Sequence, residues 1–259
     1  MSPQPPGLFV RHLPGHGPLV VLVHGSMDRS SSFARLRSPL RDLSLVVYDR
    51  RGYGRSRDLG GAGLGVHVDD LLAVVDGRPC VALGHSFGGD VALAAALARP
   101  DLVRAVVAYE APLPWMPWWP RRSAGGQAAS AATPAEAAEA FVRRLVGAAR
   151  WEGLPEATKQ ARRAEGPALV AEMASIRSSR PPFDPGDLRV PLVVGTGSRS
   201  ADHHRRGARA LAEAVEGAEL VEVPGAGHDA HLTHPDQVAA MVRRALGRAL
   251  GGPAGGEAG

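Results

Sequence analysis

Cys80-Val81-Ala82-Leu83-Gly84-His85-Ser86-Phe87-Gly88-Gly89-Asp90 is the stretch whose reading decides the fold. Cys80–Gly84 is a short apolar run without alternation, the pattern of a strand covered on both faces. Phe87–Ala98 then carries a helical pattern. Between the two, Gly84-His85-Ser86-Phe87-Gly88 satisfies G-x-S-x-G in the strand–turn–helix context that gives this pattern meaning. A serine on so tight a turn tolerates no bulky neighbours, so sterics require glycine at 84 and 88. The N–H groups at the start of the following helix point back at the turn and favour negative charge developing there. Ser86 is therefore the candidate nucleophile. A glycine-rich turn that merely contains a serine would not explain why strand, turn and helix all agree.

Working outward from Ser86, short apolar runs and helical patterns alternate. Leu19–Val23, Leu45–Asp49, Arg104–Tyr109, Val190–Gly195 and Glu219–Val223 read as further strands, and Leu8–Leu13 as an antiparallel edge strand. Val66–Asp76, Arg205–Val215 and Pro235–Leu250 read as helices. This order predicts an α/β fold with a mostly parallel sheet and helices on both faces. The rhythm breaks between about Ala111 and Asp187. That stretch opens with Pro112, Pro114, Pro117 and Pro120, loops around Gly125–Gly126, and shows helical patterns near Pro134–Ala149 and Pro155–Ser178. We read it as a helical cap insertion over the carboxyl edge of the sheet. The expected organisation is core at 1–110, cap at 111–187, core again at 188–250 and a disordered Gly-rich tail at 251–259.

Two more turns follow strands. His24-Gly25-Ser26-Met27 follows Leu19–Val23, where a backbone N–H joins that of Phe87 as an oxyanion donor; Ser26 is the first choice and Met27 the alternative. His228, in Pro224-Gly225-Ala226-Gly227-His228, follows Glu219–Val223 and is the candidate general base. His228, His231 and His234 recur at every third position, but this spacing matches no common zinc pattern, so no metal site is expected. His203–His204 reads as a solvated loop pair.

With 259 residues the chain has ample length for one domain with an insertion. Cys80 is its only cysteine, which excludes an intrachain disulfide and suits a buried, inert thiol. The net charge is +4, and Lys159 is the only lysine. The arginines are scattered in pairs rather than gathered on one face with aromatics, so no nucleic-acid partner is expected. No apolar run approaches the roughly 20 residues of a membrane span, and no basic-then-apolar leader opens the chain. The expectation is a cytoplasmic protein with a small-molecule substrate; no motif implies a cofactor, and the oligomeric state is left open.

Together His24-Gly25, Asp49-Arg50-Arg51-Gly52-Tyr53-Gly54-Arg55-Ser56, Gly84–Gly89 and Gly227-His228 resemble the α/β-hydrolase superfamily from about residue 8 to 248. The second of these is similar to the superfamily's D-x-R-G-x-G-x-S turn, and the insertion matches the place of its cap, between the sixth and seventh core strands. The resemblance implies that serine attacks an acyl carbon, histidine takes its proton and an acid orients the imidazole. It also implies an aspartate in the loop after Val190–Gly195, where Ser200 stands here. Two residues are able to substitute: Glu110 at the end of Arg104–Tyr109, which we prefer because a strand end holds a carboxylate firmly, and Asp202 in the altered loop. A subset of the superfamily is similar in placing its acid at the Glu110 position.

Serine at 86, where related dehalogenases and epoxide hydrolases use aspartate, points to acyl transfer. The leading expectation is hydrolysis of a small, mostly apolar ester or lactone. Thioester or carbon–carbon bond cleavage and a non-enzymatic ligand receptor are the alternatives. Trp115, Trp118 and Trp119, where the cap leaves the sheet, are candidate substrate-binding residues and equally candidate anchors of the cap.

Overall fold

A computed structural model describes residues 6–177 and 180–251. Seven strands form one sheet in the order β1-β3-β2-β4-β5-β6-β7. They are β1 (Val10–Leu13), β2 (Gly17–Val23), β3 (Leu43–Tyr48), β4 (Cys80–His85), β5 (Val103–Tyr109), β6 (Leu192–Gly197) and β7 (Glu219–Val223). Only β1 is antiparallel, pairing with β3 at the edge, as its reading as an edge strand anticipated. The α/β fold class is thus the one the sequence predicts.

Successive residues of the central strands feed opposite cores because side chains alternate across a sheet. Val21, Val23, Val106 and Ala108 pack with α1 (Leu64–Val75) and α2 (Phe87–Ala98). Val20, Leu22, Ala105 and Val107 pack with the last helix and a 3-10 turn at Ser30–Arg37. Both faces are buried, which explains why these runs read as continuously apolar.

Five helices stand between β5 and β6: α3 (Ala124–Ala129), α4 (Pro134–Val146), α5 (Ala148–Glu152), α6 (Glu156–Ala164) and α7 (Gly166–Ile176). In this seven-stranded sheet the excursion leaves after the fifth strand, not the sixth. The Gly125–Gly126 stretch expected as a loop lies inside α3, where a Cβ on Gly126 would stand 1.8 Å from the Arg121 carbonyl oxygen. α4 starts where its chemistry dictates. Thr133 and Glu136 form a reciprocal capping box, with Pro134 just inside the helix. The single helical pattern from Pro155 divides at Gly166-Pro167, since Pro167 has no N–H to continue the ladder. Beyond β6 come α8 (Asp202–Ala214), α9 (Ala230–Thr233) and α10 (Pro235–Ala249). The tail expected to be disordered lies, from residue 252, outside the described residues. Among the described residues no helix is long and apolar enough to cross a membrane.

Strand order reverses between β2 and β4: β3 lies on one side of this pair, β5 on the other. In open parallel sheets ligands bind in the crevice beyond the strand ends at such a reversal. The loops at Ser26 and Ser86 follow these two strands.

Candidate active site

Ser86 sits at φ 53°, ψ −130°, a conformation that side chains rarely adopt. Its N–H bonds to the Tyr109 carbonyl at 2.9 Å, and the Gly89 N–H bonds to the Ser86 carbonyl at 2.7 Å. The bend closes on neighbouring backbone. A Cβ on Gly84 would stand 2.2 Å from the Gly88 oxygen, and one on Gly88 2.1 Å from the Val23 oxygen. Both glycines are thus needed because there is no room for a methyl group. Among the described residues, three of the four non-glycine residues at positive φ are Met27, Ser86 and Glu110, all around this bend. The fourth, Asp76, is an ordinary left-handed C-cap of α1. Strain gathered in one place marks a site held in shape by its surroundings.

The parallel register sets the candidate acid beside the candidate nucleophile. His85 pairs with Tyr109, and Tyr109 with Gly195, so Ser86 and Glu110 emerge at adjacent strand ends. Glu110 is 1% exposed, and its Oε1 accepts from Thr196 Oγ1 and the Gly197 N–H, both at 2.9 Å. Its Oε2 accepts from His228 Nδ1–H at 2.6 Å. With the proton on Nδ1, the Nε2 lone pair of a neutral His228 is left to act as base. Burial pushes the Glu110 carboxyl up, but the hydrogen bond from His228, with the charges that His228 and His204 carry when protonated, brings it down to about 2. Ser86 and His228 line one cleft. Among the described residues Ser86 Oγ has no hydrogen-bond partner in this resting geometry; such bonds commonly tighten only when substrate arrives.

Asp202, the alternative acid, is placed elsewhere. It opens α8 with its side chain 93% exposed and pairs with Arg205, because as a first-turn acid it faces solvent. Ser200 is buried beside it, its N–H bonded to the Gly197 carbonyl. Ser26 and Phe87 both line the cleft, and Phe87 is the first residue of α2. Met27, the alternative donor, stands next to Ser26 at φ 57°, and its carbonyl accepts from Arg162 Nη1 at 2.9 Å. Of the three tryptophans only Trp119 lines the cleft. Trp115 packs edge-on against Phe183 in a separate hollow, and Trp118 lies between Trp119 and the Arg206 guanidinium. Alternation of proline and tryptophan in this segment turns the three rings in different directions.

Several site residues carried no signal in the sequence. Five imidazoles form one column: His203–His204 at 4.3 Å between centroids, His204–His228 at 4.5 Å, His228–His85 at 4.6 Å and His85–His231 at 4.3 Å. Burial, and then the charge of neighbouring histidines, holds His85, His203, His204 and His231 below the ordinary imidazole range, His231 at about 3. His228 is the member hydrogen bonded to a carboxylate. His85 Nε2–H donates to the His228 carbonyl and Tyr109 OH to the Gly227 carbonyl, both at 2.8 Å, so β4 and β5 pin the loop that carries the base. His203–His204, expected as a solvated pair, instead packs edge-on against Trp119.

Glu172, on α7, is a buried acid to which the sequence drew no attention. It is fully buried and accepts from Arg50 Nη1 at 2.5 Å, Tyr53 OH at 2.8 Å and Ser26 Oγ at 2.5 Å. It thereby ties the insertion to the Ser26 turn. Its neighbour Asp90 is also fully buried; burial and the Glu172 charge hold its carboxyl well above the usual range. The Asp49-to-Ser56 turn is structural: Asp49 accepts from Ser30 and Arg55, and Arg51 makes a bidentate pair with Asp70.

Among the described residues two groups place ligand-type atoms within 4.8 Å of one another: Asp28 with His85 and His231, and Glu110 with His204 and His228. The sequence triplet His228, His231, His234 does not converge, since His231 faces His85 while His234 bonds to Thr233 on the surface.

The cleft is narrow, with a cavity volume of about 60 Å³. Pro112, Pro114, Trp119, Phe141, Met173 and Ile176 make most of its wall.

Comparison with known proteins agrees with this architecture. The chain is similar to lipase LipV of Mycobacterium tuberculosis, 36% identical over 104 residues, which is 39% of this chain and 40% of the lipase. It thus matches about two-fifths of the length of that relative. An enol-lactonase from Burkholderia xenovorans LB400 superposes with a TM-score of 0.70 at 23% identity, covering 92% of this chain and 96% of that one. A thermophilic esterase from Thermogutta terrifontis gives 0.72 at 23% identity, covering 93% of each. At such identity the two structures share the fold. Residues 20–241 match the alpha/beta hydrolase family as a whole, and the chain belongs to that family.

Proposed function

We propose that the chain is a serine hydrolase that cleaves a small, mostly apolar ester or lactone through an acyl-enzyme intermediate. One observation carries the reading: a strained serine, a histidine and a buried carboxylate bonded to that histidine meet at a single cleft. Ser86 Oγ attacks the acyl carbon while its proton passes to His228 Nε2. The carbonyl π electrons move onto oxygen, where the N–H groups of Phe87 and Ser26 receive the charge. Glu110 holds the imidazolium that forms. The carbonyl re-forms as the bond to the alcohol breaks, and the alcohol leaves with the proton from His228. Water then attacks the acyl-enzyme with His228 again as base, releasing the acid and restoring Ser86. The apolar wall, with Trp119 in it, suits an apolar acyl or ring portion. The lipase, esterase and enol-lactonase to which the chain is similar support an acyl-bond substrate.

The test is covalent labelling by a fluorophosphonate together with turnover of a short-chain aryl ester. Wild type is expected to do both, and Ser86→Ala neither. A wild-type protein that neither labels nor turns over any ester, lactone or thioester would sink this reading.

A further inference from the structure

Arg177 follows the last turn of α7 and lines the same cleft as Ser86 and His228. Its surroundings are apolar or already committed. Phe141, Met173 and Ile176 adjoin it on the cleft wall, and its Nη2 lies 3.3 Å from where a Cβ on Gly126 would stand. Arg162 pairs with Glu165, and Arg143 and Arg163 with Glu139, while Arg121, Arg122, Arg144 and Arg150, which pair with no carboxylate among the described residues, are exposed and lie off the cleft wall. Among the described residues no carboxylate pairs with Arg177. Glu110 is taken by His228 and Glu172 by Arg50. Burial alone holds the guanidinium below its ordinary value, with no acid acting on it. A partly desolvated cation without a counter-charge is costly unless a ligand supplies one.

Building on the serine-hydrolase reading, we propose that Arg177 is an anion subsite and that the preferred substrate is an ester or lactone carrying a carboxylate on the part that faces the cap. A planar carboxylate matches the guanidinium fork with two hydrogen bonds and one compensating charge. A phosphate dianion would keep an uncompensated charge, since the other basic groups on that wall, His203 and His204, are held toward neutrality.

The experiment uses p-nitrophenyl monoesters of malonate, succinate, glutarate and adipate, each paired with the neutral acyl ester of equal length. The readout is the ratio of kcat/KM for the charged ester over its neutral partner within one protein, which cancels any shared loss of activity. At the best chain length, Arg177→Gln is expected to lower this ratio about 10- to 100-fold, as a lost charge-assisted pair does, and Arg177→Lys to fall between the two. An unchanged ratio at every length would overturn the proposal. A second readout, binding of free glutarate and adipate followed by the fluorescence of Trp119, covers a variant or wild type without turnover. Loss of dicarboxylate binding in Arg177→Gln with unchanged circular dichroism upholds the subsite, and equal binding overturns it. If wild type binds dicarboxylate but neither labels with fluorophosphonate nor cleaves any ester, the hydrolase reading fails while the subsite stands.

Discussion

Replacing Glu110 by Gln keeps the shape of the side chain and removes its charge. The carboxyl is 1% exposed and held at about 2, against an ordinary 4.5, because the His228 hydrogen bond and the nearby histidine charges outweigh burial. At about 1.36 kcal/mol per pH unit, that difference corresponds to about 3 kcal/mol of stability. The folded-state value lies below the unfolded one. The contribution is therefore complete above pH ~4.5 and disappears as the pH falls toward ~2. Breaking a buried pair costs about 3–5 kcal/mol in general; His228 is 26% exposed, which places this pair at the lower end. Urea unfolding of wild type and Glu110→Gln at pH 7, 5 and 3 measures the gap. It is expected to be about 3 kcal/mol at pH 7 and to narrow steadily at acid pH. The same variant should lose about 10³- to 10⁴-fold in kcat, since an imidazole without its carboxylate is neither oriented nor stabilised as a cation. Asp202→Asn should stay within about twofold of wild type, the range of a surface change. A gap below about 1 kcal/mol, or one that does not change with pH, would refute the assignment of Glu110 as the partner of His228.

Other perturbations test the frame around the site. Gly88→Ala places a methyl group 2.1 Å from the Val23 carbonyl oxygen, so thermal melts should show a loss of at least ~3 kcal/mol or no folded protein; a melt like that of wild type contradicts the packing described. Glu172→Gln leaves the fully buried Arg50 without its charge partner and should cost about 3–5 kcal/mol in urea, whereas a loss under about 1 kcal/mol would mean that the insertion is not pinned there. Burial pushes the Cys80 thiol up to about 12, so a disulfide reagent at pH 8 should react only after denaturant is added; rapid reaction of the native protein would place Cys80 outside the sheet.

The sequence alone carried the α/β fold, the strained Ser86 turn and the loop of the candidate base, because local geometry demands those residues. Two glycines with no room for a methyl group around Ser86, and apolar runs buried on both faces, are visible without knowing which strand lies beside which. Choosing between Glu110 and Asp202 was another matter, since both stand at plausible loop positions and neither motif nor spacing measures distance. Strand register is what separates them: β5 beside β6 sets Glu110 against Gly197 and in hydrogen-bond contact with His228, while α8 begins at Asp202 and turns that side chain to solvent. The histidine column, the Arg50–Glu172 pair and Arg177 were invisible for the same reason. The first two join positions distant in the chain, and for Arg177 a helical pattern in the insertion states which residues share a face but not what that face meets.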